Sequence, residues 1–253
     1  MILHLNDIEF YYEVYGEGAP VVLLHGLALD GSIWKEVANL YSDQARFILP
    51  DLRGHGRSGI GRADGSIEQF ADDLIKLADH LGVEQFTLAG HSMGGYIALA
   101  FAKRHPQRLA GLIMITSNAR ADTPEKKKMR LLEADETLIV GSSTLAESMA
   151  PKLSKSTEIQ RLTYQILKKT DPEGIANVQR AIAQRPNRLE VIKNLELPFL
   201  AVAGKDDQLM QPEAAYEMAE VSKSGKAVVL PGVGHMPMLE APTALGALIV
   251  SML

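Results

Sequence analysis

The sequence predicts an α/β fold, with a mostly parallel central sheet and helices on both of its faces. Short apolar runs typical of strands alternate with helical patterns along most of the chain, as in proteins whose parallel strands are joined by covering helices. Several of these runs are apolar at every position, which indicates strands buried on both faces. A chain of 253 residues with 46% hydrophobic composition is long and apolar enough to bury one large core.

The strands are predicted in order along the chain. Residues 8–15 alternate in polarity and end at Gly16-Glu17-Gly18, so we expect antiparallel edge strands at the start. Buried strands of the parallel core are expected at four places, and two more follow after a long interval. In order, they are residues 21–24, 47–49, 86–89 and 112–115, then 199–203 and 227–230.

One helix is predicted over residues 66–82. Ser66 and Gln69 fit a capping box, apolar residues then repeat at intervals of three and four, and Gly82 ends the pattern. The apolar C-terminal residues 245–253 are too few to span a bilayer, which takes roughly 20 residues. They predict a buried helix end instead.

Residues 118–187 are predicted to form a helical insertion, which we call the cap. No convincing strand pattern occurs there, and helix starts are expected at Thr123-Pro124 and Asp171-Pro172, where a capping side chain precedes a proline in the first turn. The strand pattern then resumes. We therefore expect one core made of residues 1–117 and 188–253, with the cap inserted in it.

Charge and composition exclude several function classes. The net charge of −5 leaves no basic excess to neutralise phosphates, so a nucleic-acid partner is not expected. The absence of cysteine excludes disulfides, thiolate catalysis and cysteine-ligated metals. The first residues lack the features of a signal peptide, and no segment is typical of a membrane span, so we expect a cytoplasmic protein without a membrane partner.

The segment Gly90-His91-Ser92-Met93-Gly94 has the chemistry-bearing pattern Gly-x-Ser-x-Gly, the nucleophile elbow. It lies where a predicted strand passes into a predicted helix, and side chains two positions before and after the serine would collide in so tight a turn. Such a turn holds the Ser92 hydroxyl at the carboxyl edge of the sheet, where open α/β sheets bind ligands. We therefore expect Ser92 to be a nucleophile.

A serine nucleophile requires a base, which a carboxylate orients. His235 follows the last predicted strand in a glycine-rich loop and is the expected base. The acid is expected after the preceding strand, where Asp206 and Asp207 are both available. Three other histidines, His4, His80 and His105, are expected at the surface. His91 is expected to shape the elbow.

These motifs together resemble the α/β-hydrolase family, in which the triad residues follow the chain order Ser, Asp, His. The resemblance covers nearly the whole chain. It is carried by five motifs in the family's order, namely His25-Gly26, residues 51–58, the elbow, Gly204-x-x-Asp207 and Gly234-His235.

The resemblance implies roles for individual residues. It selects Asp207 as the acid, because the acid of similar hydrolases lies three residues after the glycine. It implies that the backbone N–H groups of Leu27 and Met93 form the oxyanion hole. It also implies that Arg53 and His55 support the site structurally.

Among such hydrolases, the sequence looks most like small bacterial carboxylesterases and 3-oxoadipate enol-lactonases. We therefore expect a serine hydrolase that cleaves small carboxylic esters through an acyl-enzyme intermediate, with a small-molecule partner and without cofactor or metal. Apolar residues near the motifs are expected to line its substrate pocket; they are Trp34, Tyr96, Leu209, Met210 and Met236.

Two alternatives remain open at this point. An enol-lactonase would favour an anionic lactone, whose carboxylate could meet the cap cations Arg120, Lys128 or Arg161. Some proteins of this fold keep the triad and act as ligand receptors or signalling partners, because fold does not imply function. The sequence does not indicate an oligomeric state.

Overall fold

The central sheet contains eight strands within the residues that the structure, a computed structural model, describes: 1–5, 7–62 and 66–253. The strands are β1 (Ile2–Leu5), β2 (Ile8–Tyr15), β3 (Pro20–Leu24), β4 (Arg46–Pro50), β5 (Phe86–His91), β6 (Leu109–Ile115), β7 (Phe199–Gly204) and β8 (Gly225–Leu230). They lie in the order β1-β2-β4-β3-β5-β6-β7-β8. The pairs β1–β2 and β2–β4 are antiparallel, and all other pairs are parallel. The predicted fold class is confirmed.

The central strands are buried as their apolar sequences predict. Every residue of β5 and β7 is buried, because helices cover both faces of the sheet at its centre. The prediction for residues 8–15 needs a correction. They form β2, which is not an edge strand, because the short β1 pairs along its outer side.

The described part of the chain contains eleven α-helices, of which the last two follow the final strand. They are α1 (Lys35–Leu40), α2 (Ile67–His80), α3 (Met93–Arg104), α4 (Pro124–Val140), α5 (Ser142–Leu153), α6 (Thr157–Lys169), α7 (Pro172–Gln184), α8 (Leu189–Asn194), α9 (Glu213–Val221), α10 (Pro237–Glu240) and α11 (Pro242–Val250). The predicted caps are present, because the side chains of Ser66, Thr123 and Asp171 each accept a hydrogen bond from a first-turn backbone N–H. The structure thus confirms the three predicted helix starts.

Within residues 118–187, the predicted cap, the chain forms the four helices α4 to α7 and no strand. α4 packs against α7, and α5 packs against α6. The two ends of this segment meet, because the Arg188 N–H donates to the Ala119 carbonyl at 2.7 Å. The segment is also tied to the core, since the Thr170 hydroxyl donates to the Ala28 carbonyl at 2.8 Å. α5 and α6 were not individually predicted from the sequence.

The loop after β4 is held by a buried arginine. The Arg53 guanidinium donates two hydrogen bonds to Asp73 on α2, at 2.8 and 2.9 Å, and two to Asp7, at 2.9 and 3.2 Å. Bidentate pairs of this kind fix geometry as well as contributing energy. This arrangement supports the structural role expected for Arg53.

The C-terminal residues end in α11, where Leu245 and Ile249 are fully buried. The expected buried helix end is therefore present, although the terminal Leu253 is exposed. Within residues 1–5, 7–62 and 66–253, no helix has the length and apolar character needed to cross a membrane.

Candidate active site

The elbow at residues 90–94 has the strained geometry that its glycines predict. Ser92 joins β5 to α3 with φ +52° and ψ −113°, a region that L-residues rarely occupy. A Cβ on Gly90 would overlap the carbonyl of Gly94, so the turn closes only with glycine at that position. The strained backbone is held in place, because the Ser92 N–H donates to Ile115 at 2.9 Å and the Ser117 hydroxyl donates to the Ser92 carbonyl at 2.7 Å.

His235 and Asp207 form a buried hydrogen-bonded pair. Asp207 Oδ2 accepts from His235 Nδ1 at 2.7 Å, and both side chains are almost wholly excluded from solvent. The other oxygen, Oδ1, accepts from the backbone N–H groups of Leu209 and Met210 at 2.7 and 3.0 Å. Asp206 instead pairs with the exposed Lys155. Of the two candidate acids, the structure brings Asp207 to the imidazole.

The backbone around His235 is clamped from several elements. The Glu240 carboxylate accepts from the N–H groups of Gly234 and Met236, both at 2.9 Å. The His235 N–H donates to the Leu153 carbonyl in the cap at 3.0 Å. Sequence reasoning missed Glu240 and Leu153, because nothing in the local pattern marks either residue.

The carbonyl of His235 is held as well. It accepts from His91 Nε2 at 2.9 Å and from the Thr116 hydroxyl at 3.2 Å. His91 therefore links the elbow to the loop that carries the base, which extends the shaping role expected for it. Thr116 has a positive φ of 42° and was not predicted.

Ser92 and His235 line the same cavity, whose volume is about 340 Å³. Across the residues described, the Ser92 hydroxyl makes no hydrogen bond, to His235 or to any other group. The hydrogen bond between His235 and Asp207 is thus formed, and Ser92 lines the cavity beside this pair. Such contacts commonly tighten only when a substrate is bound.

Two backbone N–H groups are available at the same cavity. Leu27 and Met93 both line it, and Met93 is the first residue of α3, where a helix N–H has no intrahelical acceptor. Neither N–H donates a hydrogen bond to any described residue. Both residues expected to provide the oxyanion donors therefore line the cavity that Ser92 lines.

Three buried histidines near the site are neutral. Burial lowers the pKa of His25 to about 4, and burial together with the adjacent His25 lowers that of His55 to about 3. Burial, followed by the nearby His235, holds the pKa of His91 well below its ordinary value. His25 Nε2 accepts from the Leu52 N–H at 2.9 Å, a contact that a protonated ring could not make. His25 thereby joins the two motif loops.

The pocket residues expected from the sequence divide into two groups. Tyr96, Leu209 and Met210 line the cavity. Trp34 and Met236 are fully buried in the core and do not line it, so the expectation for these two was wrong. A large apolar side chain beside a motif is stabilised more by complete burial than by a solvated cavity wall.

The cap cations also differ from those expected. Arg120 is mostly exposed and pairs with Glu217, and Lys128 and Arg161 are exposed residues outside the cavity lining. The cavity is lined instead by Lys126, Arg130 and Lys152. The sequence offered many cap cations but no signal for which of them line the cavity.

A buried ion pair forms part of the cap wall. Asp122 pairs with Arg130 at 2.5 Å and with Arg185 at 2.9 Å, and the Arg185 guanidinium lies 4.0 Å from the centre of the Tyr96 ring. Burial alone would raise the pKa of Asp122, but the Arg185 hydrogen bond and the Arg130 charge lower it. The ion pair therefore fixes Tyr96 against the cap.

No group of histidine, aspartate and glutamate side chains in the described ranges could hold a metal ion. The polar chemistry of the site described above is provided by side chains and backbone amides.

The sheet order and a serine at a strained turn after β5 define the α/β-hydrolase class of protein. Residues 19–139 match the family of the alpha/beta hydrolase fold. An esterase from Thermogutta terrifontis, solved with malate bound, is 35% identical over 99% of this chain and 97% of its own, with a TM-score of 0.95. The chain belongs to the α/β-hydrolase family.

Two further relatives cover nearly the full length. The enol-lactonase from Burkholderia xenovorans LB400 is 25% identical, with a TM-score of 0.91 over 100% of this chain and 99% of that chain. The (E)-2-((N-methylformamido)methylene)succinate hydrolase of Acinetobacter baylyi is 26% identical over 242 residues, which are 94% of this chain and 91% of the relative. The relatives are hydrolases with different substrates.

Proposed function

We propose that the protein is a serine hydrolase of small carboxylic esters, with Ser92, His235 and Asp207 as its triad. The observation that carries the proposal is the buried 2.7 Å His235–Asp207 hydrogen bond at the wall of the cavity that Ser92 lines. A serine with an oriented imidazole beside it is the arrangement that activates an alcohol as a nucleophile.

In the proposed mechanism, Ser92 attacks the ester carbonyl while His235 accepts its proton at Nε2. Asp207 stabilises the imidazolium through Nδ1, and the N–H groups of Leu27 and Met93 donate to the oxyanion. His235 then protonates the leaving alcohol. Water, deprotonated by the same base, attacks the acyl-enzyme and releases the acid and free Ser92.

The cavity supports a small substrate. Its volume of about 340 Å³ lies at the lower end of small-molecule sites. We propose that residues 118–187 act as a cap over Ser92, because α4, α5 and α7 supply one wall of this cavity. The similarity to the esterase from Thermogutta terrifontis, at 35% identity over 99% of this chain, favours ester hydrolysis.

Lactone hydrolysis is a second candidate, and one observation favours it. Lys126, Arg130 and Lys152 line the cavity, and cationic side chains would suit a lactone that carries a carboxylate, as an enol-lactonase-like function requires. Comparing kcat/KM for neutral esters and carboxylated lactones on the same preparation separates the two candidates.

Labelling with a fluorophosphonate tests the nucleophile directly. We expect the protein to be labelled and the Ser92→Ala variant not to be. The same variant should hydrolyse a short-chain nitrophenyl ester at least about 10⁴-fold more slowly, given what loss of a triad member costs. Full activity of Ser92→Ala would exclude the proposal, and slow turnover with tight binding of a partner protein would favour a receptor.

A further inference from the structure

The cavity beside Ser92 has two walls of different chemistry. The wall formed by the core is uncharged apart from its histidine, and consists of Leu27, Ser92, Met93, Tyr96, Leu209, Met210 and His235. The wall formed by the cap carries all the formally charged lining residues other than the histidine. They are three cations and two carboxylates, in a protein whose net charge is −5. The cap wall therefore carries a net positive charge, opposite in sign to the net charge of the whole chain.

The two carboxylates of the cap wall are already engaged. Asp122 is held by Arg130 and Arg185, and Glu133 accepts a hydrogen bond from Gln179 Nε2 at 3.3 Å. Arg130 is in turn occupied by Asp122. Glu133 keeps its negative charge, because the amide of Gln179 is neutral, but neither carboxylate forms an ion pair with Lys126 or Lys152 among the described residues.

Lys126 and Lys152 are the remaining cations of this wall. Neither ammonium group forms an ion pair or a hydrogen bond with any residue in the ranges described. Other lysines of this chain do find partners, such as Lys155 with Asp206 at 2.8 Å. Lys126 and Lys152 are exposed residues that both line this one cavity, and two ammonium groups without a partner at its wall make it attractive to an anion.

The position of Lys152 relates this charge to the reacting centre. Lys152 directly precedes Leu153, whose carbonyl accepts from the His235 N–H at 3.0 Å. Lys126 enters the cavity from α4, on the helix face that also presents Arg130 and Glu133. The two lysines thus approach the cavity from different cap helices, α4 and α5, with the triad on the opposite wall.

We infer that Lys126 and Lys152 form a carboxylate subsite, and that the preferred substrates are small esters bearing a carboxylate remote from the scissile bond. The inference rests on the proposed ester hydrolysis and names its substrate class. The ester carbonyl lies at Ser92 on the uncharged core wall, and the carboxylate lies between the lysines on the cap wall. Each ammonium donates hydrogen bonds to the anion, which are stronger than those between neutral groups.

The test compares esters that differ only in a terminal carboxylate. Monomethyl adipate and methyl hexanoate have the same acyl length, and 4-acetoxybutanoate and butyl acetate place the same difference on the alcohol side. We measure kcat/KM by acid release at neutral pH for the wild type, Lys126→Gln and Lys152→Gln. Lys128→Gln is the matched control, because Lys128 lies on α4 but outside the cavity lining.

In at least one of the two ester pairs, we expect the wild type to have a higher kcat/KM for the anionic ester than for its neutral partner. Each cavity variant should lower the anionic-to-neutral ratio of kcat/KM by about tenfold, in the range of single charge-assisted contacts. The ratio should be unchanged in Lys128→Gln, and added salt should reduce it in the wild type. The inference is overturned if the cavity variants leave the ratio unchanged, or if Lys128→Gln lowers it equally.

Binding separates this inference from the proposed function. Calorimetric titration of Ser92→Ala with monomethyl adipate requires no turnover, and affinity should fall when Lys126→Gln is added. Binding without hydrolysis by the wild type would reject the ester hydrolase and keep the subsite. Hydrolysis without any preference for the carboxylate would keep the hydrolase and reject the subsite.

Discussion

Replacing Asp207 with asparagine should abolish most of the ester hydrolysis, because the acceptor that faces His235, Oδ2, would become an NH₂ donor. The two oxygens of Asp207 have different partners, since Oδ1 accepts from the N–H groups of Leu209 and Met210 and Oδ2 accepts from His235. Asparagine has only one oxygen. We expect that oxygen to remain on the two N–H donors, because turning the amide NH₂ toward them would leave donors unpaired at about 1–3 kcal/mol each.

The amide NH₂ of the variant would then face His235 Nδ1. Since an NH₂ group donates, Nδ1 has to accept, and the proton of the neutral imidazole moves to Nε2. That nitrogen can no longer take the proton of Ser92. We expect kcat/KM for a short-chain nitrophenyl ester to fall about 10³- to 10⁴-fold, equivalent to about 4–5.5 kcal/mol in the activation barrier.

Asp206→Asn provides the matched control. Asp206 is the chain neighbour of Asp207, but its partner Lys155 is 69% exposed, and exposed ion pairs contribute little. We expect kcat/KM of Asp206→Asn to stay within about threefold of the wild type. Urea unfolding should show that both variants are folded. The reasoning fails if Asp207→Asn keeps more than about a tenth of the activity, or if Asp206→Asn loses as much.

Two further predictions concern the supports of the site. Glu240→Gln should leave one of the Gly234 and Met236 N–H groups facing an NH₂ donor. The unpaired group should lower the free energy of unfolding by about 1–3 kcal/mol, and the displaced loop should lower kcat with little change in KM. An unchanged urea midpoint together with an unchanged kcat would contradict this. The second prediction concerns pH. His25 and His55 have pKa values of about 4 and 3 in the folded protein, so they stay neutral at pH 5. In the unfolded chain the same histidines bind protons below about pH 6.5, so the free energy of unfolding should fall by about 2 kcal/mol per histidine between pH 7.5 and 5. Urea midpoints should show this loss, and it should be smaller in His55→Asn; equal losses in both proteins would refute the assignment.

Much of the fold could be predicted because its signals are local. A fully buried strand such as β5 requires apolar residues on both faces, and a helix start such as that of α7 requires a capping side chain. The elbow belongs to the same group. Its glycines are required by contacts within five consecutive residues, so the sequence pattern and the strained Ser92 have the same cause.

The parts of the site that could not be predicted depend on which surfaces meet. Trp34 lies close to a motif in sequence, yet it packs in the core, whereas Lys126 and Lys152 of the cap line the cavity. Glu240 supports the loop of His235 through the direction of its carboxylate, which composition does not encode. Helical periodicity marks the buried side of a helix but not the element that covers it.

Local patterns were enough to predict the core strands in their chain order, three helix starts, the tight turn at Ser92 and the residue types available for catalysis. These depend on local sterics and on the periodicity of apolar residues. Tertiary packing alone brings Asp207 to the imidazole of His235, 28 positions away, and brings His91 to the His235 carbonyl across 144 positions. Such contacts form because packing the sheet and the cap brings distant segments to the same edge, and no local rule specifies that approach.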